Sequence, residues 1–227
     1  MARERRWPVA VALVVLVVVT LGAAGAALTY TSLFDATRIR VEGSARPDET
    51  VITAAGLDGA VNVFHVDTGA AEAALLADPW IRSAEVRRRL PHGLVIHVDE
   101  RVPVLAVGER GFAADGTDLP GADVAGLPLA RATTGEVPVE RIPVAAAAAG
   151  ALTPALRADV GYVVIAPDGE LSLRLDDGLT VRWGTGGDVA AKAAALEALL
   201  RYAEDRDRVI LTADVSAPNA PSARFAD

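Results

Sequence analysis

The stretch AEVRRRLPHGLVIHVDERVP, residues 84–103, decides how the first half of the chain folds. Two runs within it place apolar and polar side chains at alternating positions, which is the pattern of a strand with one buried face. The predicted inner face consists of Val86, Arg88, Leu90, Leu94, Ile96 and Val98. Pro91 and Gly93 interrupt the two runs, so the stretch predicts an antiparallel hairpin.

An uncharged segment, residues 9–28, precedes this region. Its length of about 20 residues matches the roughly 30 Å hydrocarbon core of a membrane. Arg3, Arg5 and Arg6 lie before it, and positive flanks stay cytoplasmic, so we expect a membrane helix over 9–29 with the N-terminus inside. A cleaved secretory signal is the alternative, because Ala24-Gly25-Ala26 resembles a small-residue cleavage site.

The charge and the cysteine count exclude several classes of function. The formal net charge is −8 and the chain has no cysteine. An acidic exported segment argues against nucleic acid and against docking on anionic lipid. Disulfides and zinc–thiolate sites are also excluded, so hydrophobic burial must hold the exported part together.

The residues before the hairpin predict one strand and two helices. Thr37, Ile39 and Val41 alternate with charged residues, and a first helix is expected from near Pro47 to Ala55. Asp67 is placed to cap a second helix that runs through Leu76. The expected order is strand, helix, helix, strand, strand, which packs as a three-stranded sheet with both helices on one face.

The second half predicts short strands and a late helix. Three Asp-Gly pairs, at 115–116, 168–169 and 177–178, indicate turns of type I′. The expected strands are Val160–Ala166, Leu171–Leu175, Leu179–Trp183, Val209–Val215 and Ser222–Phe225. We expect Gly121–Val144 to be irregular or at a sheet edge. A helix over Ala145–Leu156 is weakened by Gly150.

A clearer helix is expected over Val189–Tyr202. Its apolar side is formed by Leu196, Leu199 and Leu200, and Lys192 is expected to lie elsewhere.

No residue pattern predicts catalysis. The three histidines do not have the spacing of a zinc helix, and no activated-serine motif is present. Gly184-Thr185-Gly186-Gly187 lacks the Lys-Ser/Thr of a phosphate-binding loop and predicts a loop that leads into a helix. We therefore expect no catalytic, cofactor or metal site, no small-molecule substrate, and no enzyme.

Several motifs in register resemble the FtsQ/DivIB family of bacterial division proteins. They are IRVEG at 39–43, GAVNVFHVD at 59–67, PWIRSAEV at 79–86, RLP at 89–91 and IHVDERVP at 96–103. In the second half, Asp177-Gly178 through Trp183-Gly184, Lys192 and Asp214-Val215 extend the resemblance. It implies an α+β fold: a cytoplasmic tail (1–8), a single transmembrane helix (9–29), a POTRA domain (34–102, β-α-α-β-β) and a mainly antiparallel β domain (103–227) with a helix near its C-terminal end.

The resemblance also implies a function and partners. A family member is a non-enzymatic, type II plasma-membrane scaffold at the division septum, which links early and late components of the divisome. The C-terminal edge of its β domain receives an FtsB/DivIC-type partner, which pairs with FtsL. Carried onto this chain, that edge is formed by residues 209–216 with 222–225, supported by the helix over Val189–Tyr202. The partner-binding residues are Val209, Leu211, Ala213, Val215 and Phe225.

Three alternatives stay open at this point. Phe225 is either an anchor for the partner or a residue packed on its own domain. Arg87 and Arg89 form either a solvated outer face of the POTRA sheet or a basic contact for an acidic partner. The chain itself could be a secreted or membrane-tethered POTRA module of the envelope with no role in division.

Overall fold

The structure, a computed structural model, describes residues 7–31, 34–59 and 61–226. Arg3, Arg5 and Arg6, on which the predicted orientation depends, lie outside the described residues. Internal contacts divide the chain into two compact units, Met1–Glu100 and Arg101–Asp227.

The first unit begins with helix α1, Trp7–Leu28. Residues Ala10–Leu28 have a mean hydropathy of 2.7, and none of this segment is buried within the protein. A helix satisfies its own backbone hydrogen bonds, so an apolar and unburied helix of this length is suited to hydrocarbon. It fits the transmembrane helix that the sequence predicts.

A three-stranded sheet follows. Its strands are β1 (Arg38–Glu42), β2 (Ile81–Arg89) and β3 (Gly93–Glu100), in the order β1-β3-β2. β2 and β3 form the predicted antiparallel hairpin, and β1 pairs with β3 in parallel. The prediction for Leu90 was wrong: β2 ends at Arg89, and Leu90 lies in the turn with 58% of its surface exposed.

Helices α2 (Asp48–Ala54) and α3 (Thr68–Leu76) cover the inner face of this sheet. Asp67 caps α3 as predicted, since its carboxylate accepts a hydrogen bond from the Ala70 N–H at 2.9 Å. Gly56, with φ +68°, closes the end of α2 through the Gly56 N–H to Thr53 O bond and the Leu57 N–H to Ile52 O bond. This pair of bonds is a Schellman motif.

The core of the first unit lies between the sheet and the two helices. Its best-buried side chains come from β2, β3, both helices and the segment between the helices: Val51, Leu57, Val63, Leu75, Ile81, Leu94 and Ile96. The alternation in residues 84–98 therefore placed the buried face of the hairpin correctly.

The second unit is built on a nine-stranded sheet, three α-helices and a short 3-10 helix, Val139–Arg141. The strands are β4 (Pro103–Val107), β5 (Arg110–Ala113), β6 (Asp118–Leu119), β7 (Leu129–Ala132), β8 (Val160–Ile165), β9 (Leu171–Leu175), β10 (Thr180–Gly184), β11 (Ile210–Asp214) and β12 (Ser222–Phe225). The helices are α4 (Ile142–Ala151), α5 (Pro154–Ala158) and α6 (Val189–Glu204). The strand order is β12-β11-β10-β9-β8-β7-β4-β5-β6.

The expectation for Gly121–Val144 was partly wrong. β7, inside this segment, lies in the middle of the sheet and pairs in parallel with both β4 and β8. Its four residues are too short a run to show alternation, and parallel pairing with distant strands leaves no local sequence signal.

The three Asp-Gly turns are present but are not of type I′. That turn needs positive φ at both central residues, whereas only the glycines 116, 169 and 178 have it here. In each turn the glycine N–H donates to the carbonyl three residues earlier, and the Asp carboxylate accepts from the N–H two residues later. These are three-residue hairpin loops, in which a type I turn is followed by a left-handed glycine.

The expected helix over Ala145–Leu156 is two helices, α4 and α5. Thr153 accepts from the Leu156 N–H and begins α5 before Pro154. Gly150 lies inside α4, where a Cβ would come within 2.5 Å of the Ala114 Cβ. The glycine allows α4 to pack closely on the sheet.

Candidate partner-binding surface

The last strand of the chain forms one edge of the nine-stranded sheet. β12 pairs antiparallel with β11 alone, while β11 lies between β12 and the parallel strand β10. Of the two strands predicted to form this edge, only β12 has a free side among the described residues.

The register shows which backbone groups of β12 point outward. The Ala226 N–H donates to Val209 O at 2.8 Å, one residue beyond the Ile210–Phe225 pair. Flanking bonds of this kind mark a pair that is not itself hydrogen-bonded, so the N–H and C=O of Phe225 point away from β11. Because alternate residues share a direction along a strand, the same groups of Ala223 also point to the free edge.

The predicted partner-binding residues separate into two groups. Ala213 and Val215 are 3% and 0% exposed, and their side chains belong to the core of the second unit. Val209 and Leu211 are 66% and 44% exposed. A bulge in β11 between Ile210 and Thr212 places Leu211 outside the regular pairing.

The side chain of Phe225 packs back on its own domain, as the alternative interpretation proposed. Its ring centroid lies 6.1 Å from that of Tyr202 on α6, and the Arg208 guanidinium lies 3.9 Å from the ring centroid. Phe225 is half-buried against the core. The Phe225 side chain therefore packs β12 against α6, and only the backbone N–H and C=O of Phe225 face the free edge of β12.

A cluster of charges holds the other end of β11. Arg182 on β10 bonds to Glu170 at 2.5 Å and lies 3.4 Å from Asp214. Asp214 also accepts hydrogen bonds from the Ser216 hydroxyl and N–H, at 2.6 and 2.9 Å. The Ser216 hydroxyl and then the nearby Arg182 lower the pKa of Asp214. These bonds fix the turn that carries the chain from β11 toward β12.

Lys192 is buried, and the prediction that it lies away from the core was wrong. It is 3% exposed, and its ammonium donates to Trp183 O at 2.8 Å and to Gly186 O. Burial lowers the pKa of Lys192. Its position four residues before Leu196 places it on the same helix face, a signal that the sequence contained.

The glycine-rich loop between β10 and α6 serves the fold. Asp188 caps α6 by accepting from the Ala191 N–H at 3.0 Å, as the loop interpretation expected. The Lys192 ammonium is bound to one carbonyl of β10 and to one of the loop, so these bonds hold the loop at the start of α6.

The histidines do not come together. The His97 Nδ1 lies 3.3 Å from Glu42, and the His65 ring stacks on Tyr30 at 3.8 Å. Over residues 7–31, 34–59 and 61–226, no three His, Asp or Glu side chains are grouped so as to hold a metal ion.

The two surface arginines of the hairpin face away from the helices. Arg87 bonds to Glu85 at 2.7 Å, while Arg88 turns to the inner side and donates to Val63 O and Val66 O at 2.9 and 2.6 Å. Arg89 lies on the same outer face as Arg87.

Comparison with known proteins identifies the family. The FtsQ-type POTRA domain matches residues 34–101, and the C-terminal domain of the cell division proteins FtsQ/DivIB matches residues 95–216. The chain is 33% identical to the cell division protein FtsQ of Mycolicibacterium smegmatis, over 89% of this chain and 61% of that protein. It is 31% identical to the FtsQ of Streptomyces collinus, over 96% of this chain and 88% of that protein, and 28% identical to the FtsQ of Corynebacterium glutamicum, over 84% and 90%. The chain therefore belongs to the FtsQ/DivIB family of cell division proteins.

Proposed function

We propose that this protein is a non-enzymatic, bitopic scaffold of the division machinery. It lies in the plasma membrane at the septum with its N-terminus inside, and its ectodomain links early and late divisome components. The parts are a tail (1–8), a membrane span (9–29), a POTRA domain (34–102) and a β domain (103–227). Family membership and the unburied apolar helix α1 support this proposal.

Partner capture occurs by strand addition at β12. A free strand edge carries unpaired N–H and C=O groups, and an extended segment of another chain completes the sheet by pairing with them. The observation that carries the proposal is the free outer side of β12, with the backbone groups of Ala223 and Phe225 directed outward. The partner is of the FtsB/DivIC type, itself paired with an FtsL-type protein.

Backbone pairing alone gives modest affinity. Two outward residues offer about four hydrogen bonds, each with a net worth of roughly 0.5–1.5 kcal/mol, and association and ordering costs are of similar size. Side-chain contacts must supply the rest. The exposed large apolar residues nearest in sequence to this edge are Tyr202, Val209 and Leu211, which are 43%, 66% and 44% exposed. A partner with apolar side chains next to its added strand fits this surface.

The experiment is complementation in cells depleted of the native copy. A fluorescent protein is fused before Met1, and the full chain is compared with a chain that ends at Ser216 and lacks β12. We expect the full chain to form a mid-cell band and restore division, and the shortened chain to fail in division at equal abundance. A uniform membrane signal with normal division would reject the scaffold role, and rescue by the shortened chain would reject the β12 edge.

A further inference from the structure

The outer face of the POTRA sheet is divided by charge. Its register aligns the outward residues of the three strands in rows that cross the sheet. The two rows nearest the hairpin turn are Arg38–Gly93–Arg89 and Arg40–Val95–Arg87. The next row is Glu42–His97–Glu85, and beyond it Asp99 lies opposite Ser83. Four arginines are therefore gathered at one end of a face whose other end is acidic.

Most of this positive charge is not neutralised. Among the described residues, Arg38, Arg40 and Arg89 have no carboxylate oxygen within 4.0 Å, and only Arg87 is paired, with Glu85. By contrast, Arg46 and Arg82, elsewhere in the same unit, both bind carboxylates. The net charge of the chain predicts an acidic ectodomain. The charges are unevenly distributed, however, and the end of the POTRA sheet nearest the hairpin turn is basic.

The basic end surrounds a hollow, which we call the basic cup. Its volume is about 470 Å³, and its lining includes Arg38, Arg40, Arg89, the turn residue Leu90 and Gly93, the first residue of β3. Gly93 lies between the two flanking arginines, and a Cβ there would come within 2.9 Å of Arg89 O. The side chain of Leu90 is exposed beside the cup.

The same end of the sheet contacts the segment that follows the membrane helix α1. The Thr37 N–H donates to His92 O at 3.0 Å in the hairpin turn, and the Phe34 ring stacks with the His92 ring at 6.3 Å. Immediately after α1, Thr29 O accepts a hydrogen bond from the Asn62 side chain at 2.9 Å. Tyr30, 73% exposed, suits the interface between membrane and water, where tyrosine is enriched.

We infer that the basic cup binds the phosphate of anionic phospholipids on the membrane surface from which α1 emerges. The inference rests on the proposed membrane span. Guanidinium groups form paired, charge-assisted hydrogen bonds with phosphate oxygens, and three guanidinium groups that are unpaired among the described residues line this cup. The exposed Leu90 beside the cup adds an apolar contact with the interface. Lipid binding fixes the tilt of the POTRA domain at the membrane.

The test uses the full chain in lipid nanodiscs. Because the chain has no cysteine, Leu90→Cys gives a single site for an environment-sensitive fluorophore. Nanodiscs of phosphatidylcholine alone are compared with nanodiscs that also contain phosphatidylglycerol, each with a spin-labelled lipid that quenches the fluorophore at short range. We expect much stronger quenching with phosphatidylglycerol than without it.

A matched pair of charge reversals locates the effect. Arg89→Glu and Arg82→Glu change the same charge on the same strand, β2, at opposite ends. We expect Arg89→Glu to reduce quenching to the phosphatidylcholine level and Arg82→Glu to leave it unchanged. Equal quenching in the two lipids, or equal effects of the two reversals, would overturn the inference.

Two further additions distinguish anionic lipid from other ligands of the basic cup. A change in the fluorophore on adding inorganic phosphate to neutral nanodiscs would reject lipid as the specific ligand. A change only on adding an acidic peptide would assign the cup to a protein partner. Migration of the chain with both kinds of nanodisc reports the membrane span by itself, so failure of the proposed topology is distinguishable from failure of the cup.

Discussion

Gly150→Ala distinguishes what the structure predicts from what helix propensity predicts. Inside a helix, alanine is more favourable than glycine by about 1 kcal/mol, so sequence alone predicts a gain in stability. In the structure the new Cβ would lie 2.5 Å from the Ala114 Cβ and 3.3 Å from the Ala114 Cα. Carbon atoms pack at about 3.5–4.0 Å, so α4 or the chain after β5 must move by roughly 1 Å.

The expected magnitude follows from these opposing contributions. Overpacking of a close contact costs about 1–3 kcal/mol, so the net result is a loss of about 1 kcal/mol after the propensity gain. In an Ala114→Gly background the obstructing methyl group is gone, and Gly150→Ala should then stabilise by up to about 1 kcal/mol. The double-mutant cycle should therefore give a coupling of about 2 kcal/mol.

The assay is urea unfolding of the full chain in detergent. Trp183 is fully buried in the second unit, so its fluorescence reports that unit once Trp7 and Trp80 are replaced by phenylalanine. Additive effects of the two substitutions, or a gain in stability from Gly150→Ala alone, would refute the packing argument for α4.

Three other predictions concern stability, each for one side chain. Ile96→Asp places a carboxylate where the side chain is 0% exposed, and should lower the melting temperature of the first unit and cost about 3 kcal/mol or more; an unaltered melting curve would contradict the assignment of faces. Arg46→Ala removes the cation that the partly buried carboxylates of Asp78 and Glu100 share, and should cost about 2 kcal/mol by urea titration at pH 7. Arg82→Ala is the exposed control and is expected to cost under 1 kcal/mol. The folded-state pKa of Asp115 is about 2 against 3.8, because hydrogen bonds from Arg101 and Thr117 outweigh the opposing effect of burial. The contribution of Asp115 to the free energy of unfolding, about 1 kcal/mol after discounting for the exposure of this carboxyl, is therefore present above pH ~4 and lost as pH falls toward 2. Arg101→Ala should reduce that pH dependence, while the hydrogen bonds from Thr117 keep part of it.

Local patterns predicted the elements that depend on neighbouring residues. Alternation in residues 84–98 gave the hairpin and its buried face, and Asp67 gave the start of α3. Both signals act within a few residues, where side-chain direction and capping chemistry decide the outcome.

Non-local packing explains what the sequence did not reveal. β7 is central because distant strands pair with it in parallel. Lys192 is buried because one carbonyl of β10 and one of the loop before α6 accept hydrogen bonds from its ammonium. The sequence also did not show that β12 lies outside β11, so that β12, and not β11, has the free edge. The division of charge on the POTRA sheet became visible only when the register aligned residues from three strands.

The most direct measurement tests the edge of β12 with one residue. Ala223→Pro removes an outward N–H, and proline is tolerated on an edge strand when that group faces away from its neighbour. Ala223→Val keeps the N–H and serves as the matched control. Each variant of the full chain is used to capture the FtsB/DivIC-type partner, with the melting temperature measured in parallel.

We predict that Ala223→Pro loses capture with little change in melting temperature, and that Ala223→Val captures the partner as the parent chain does. Capture by Ala223→Pro at the level of the parent chain would contradict strand addition at β12.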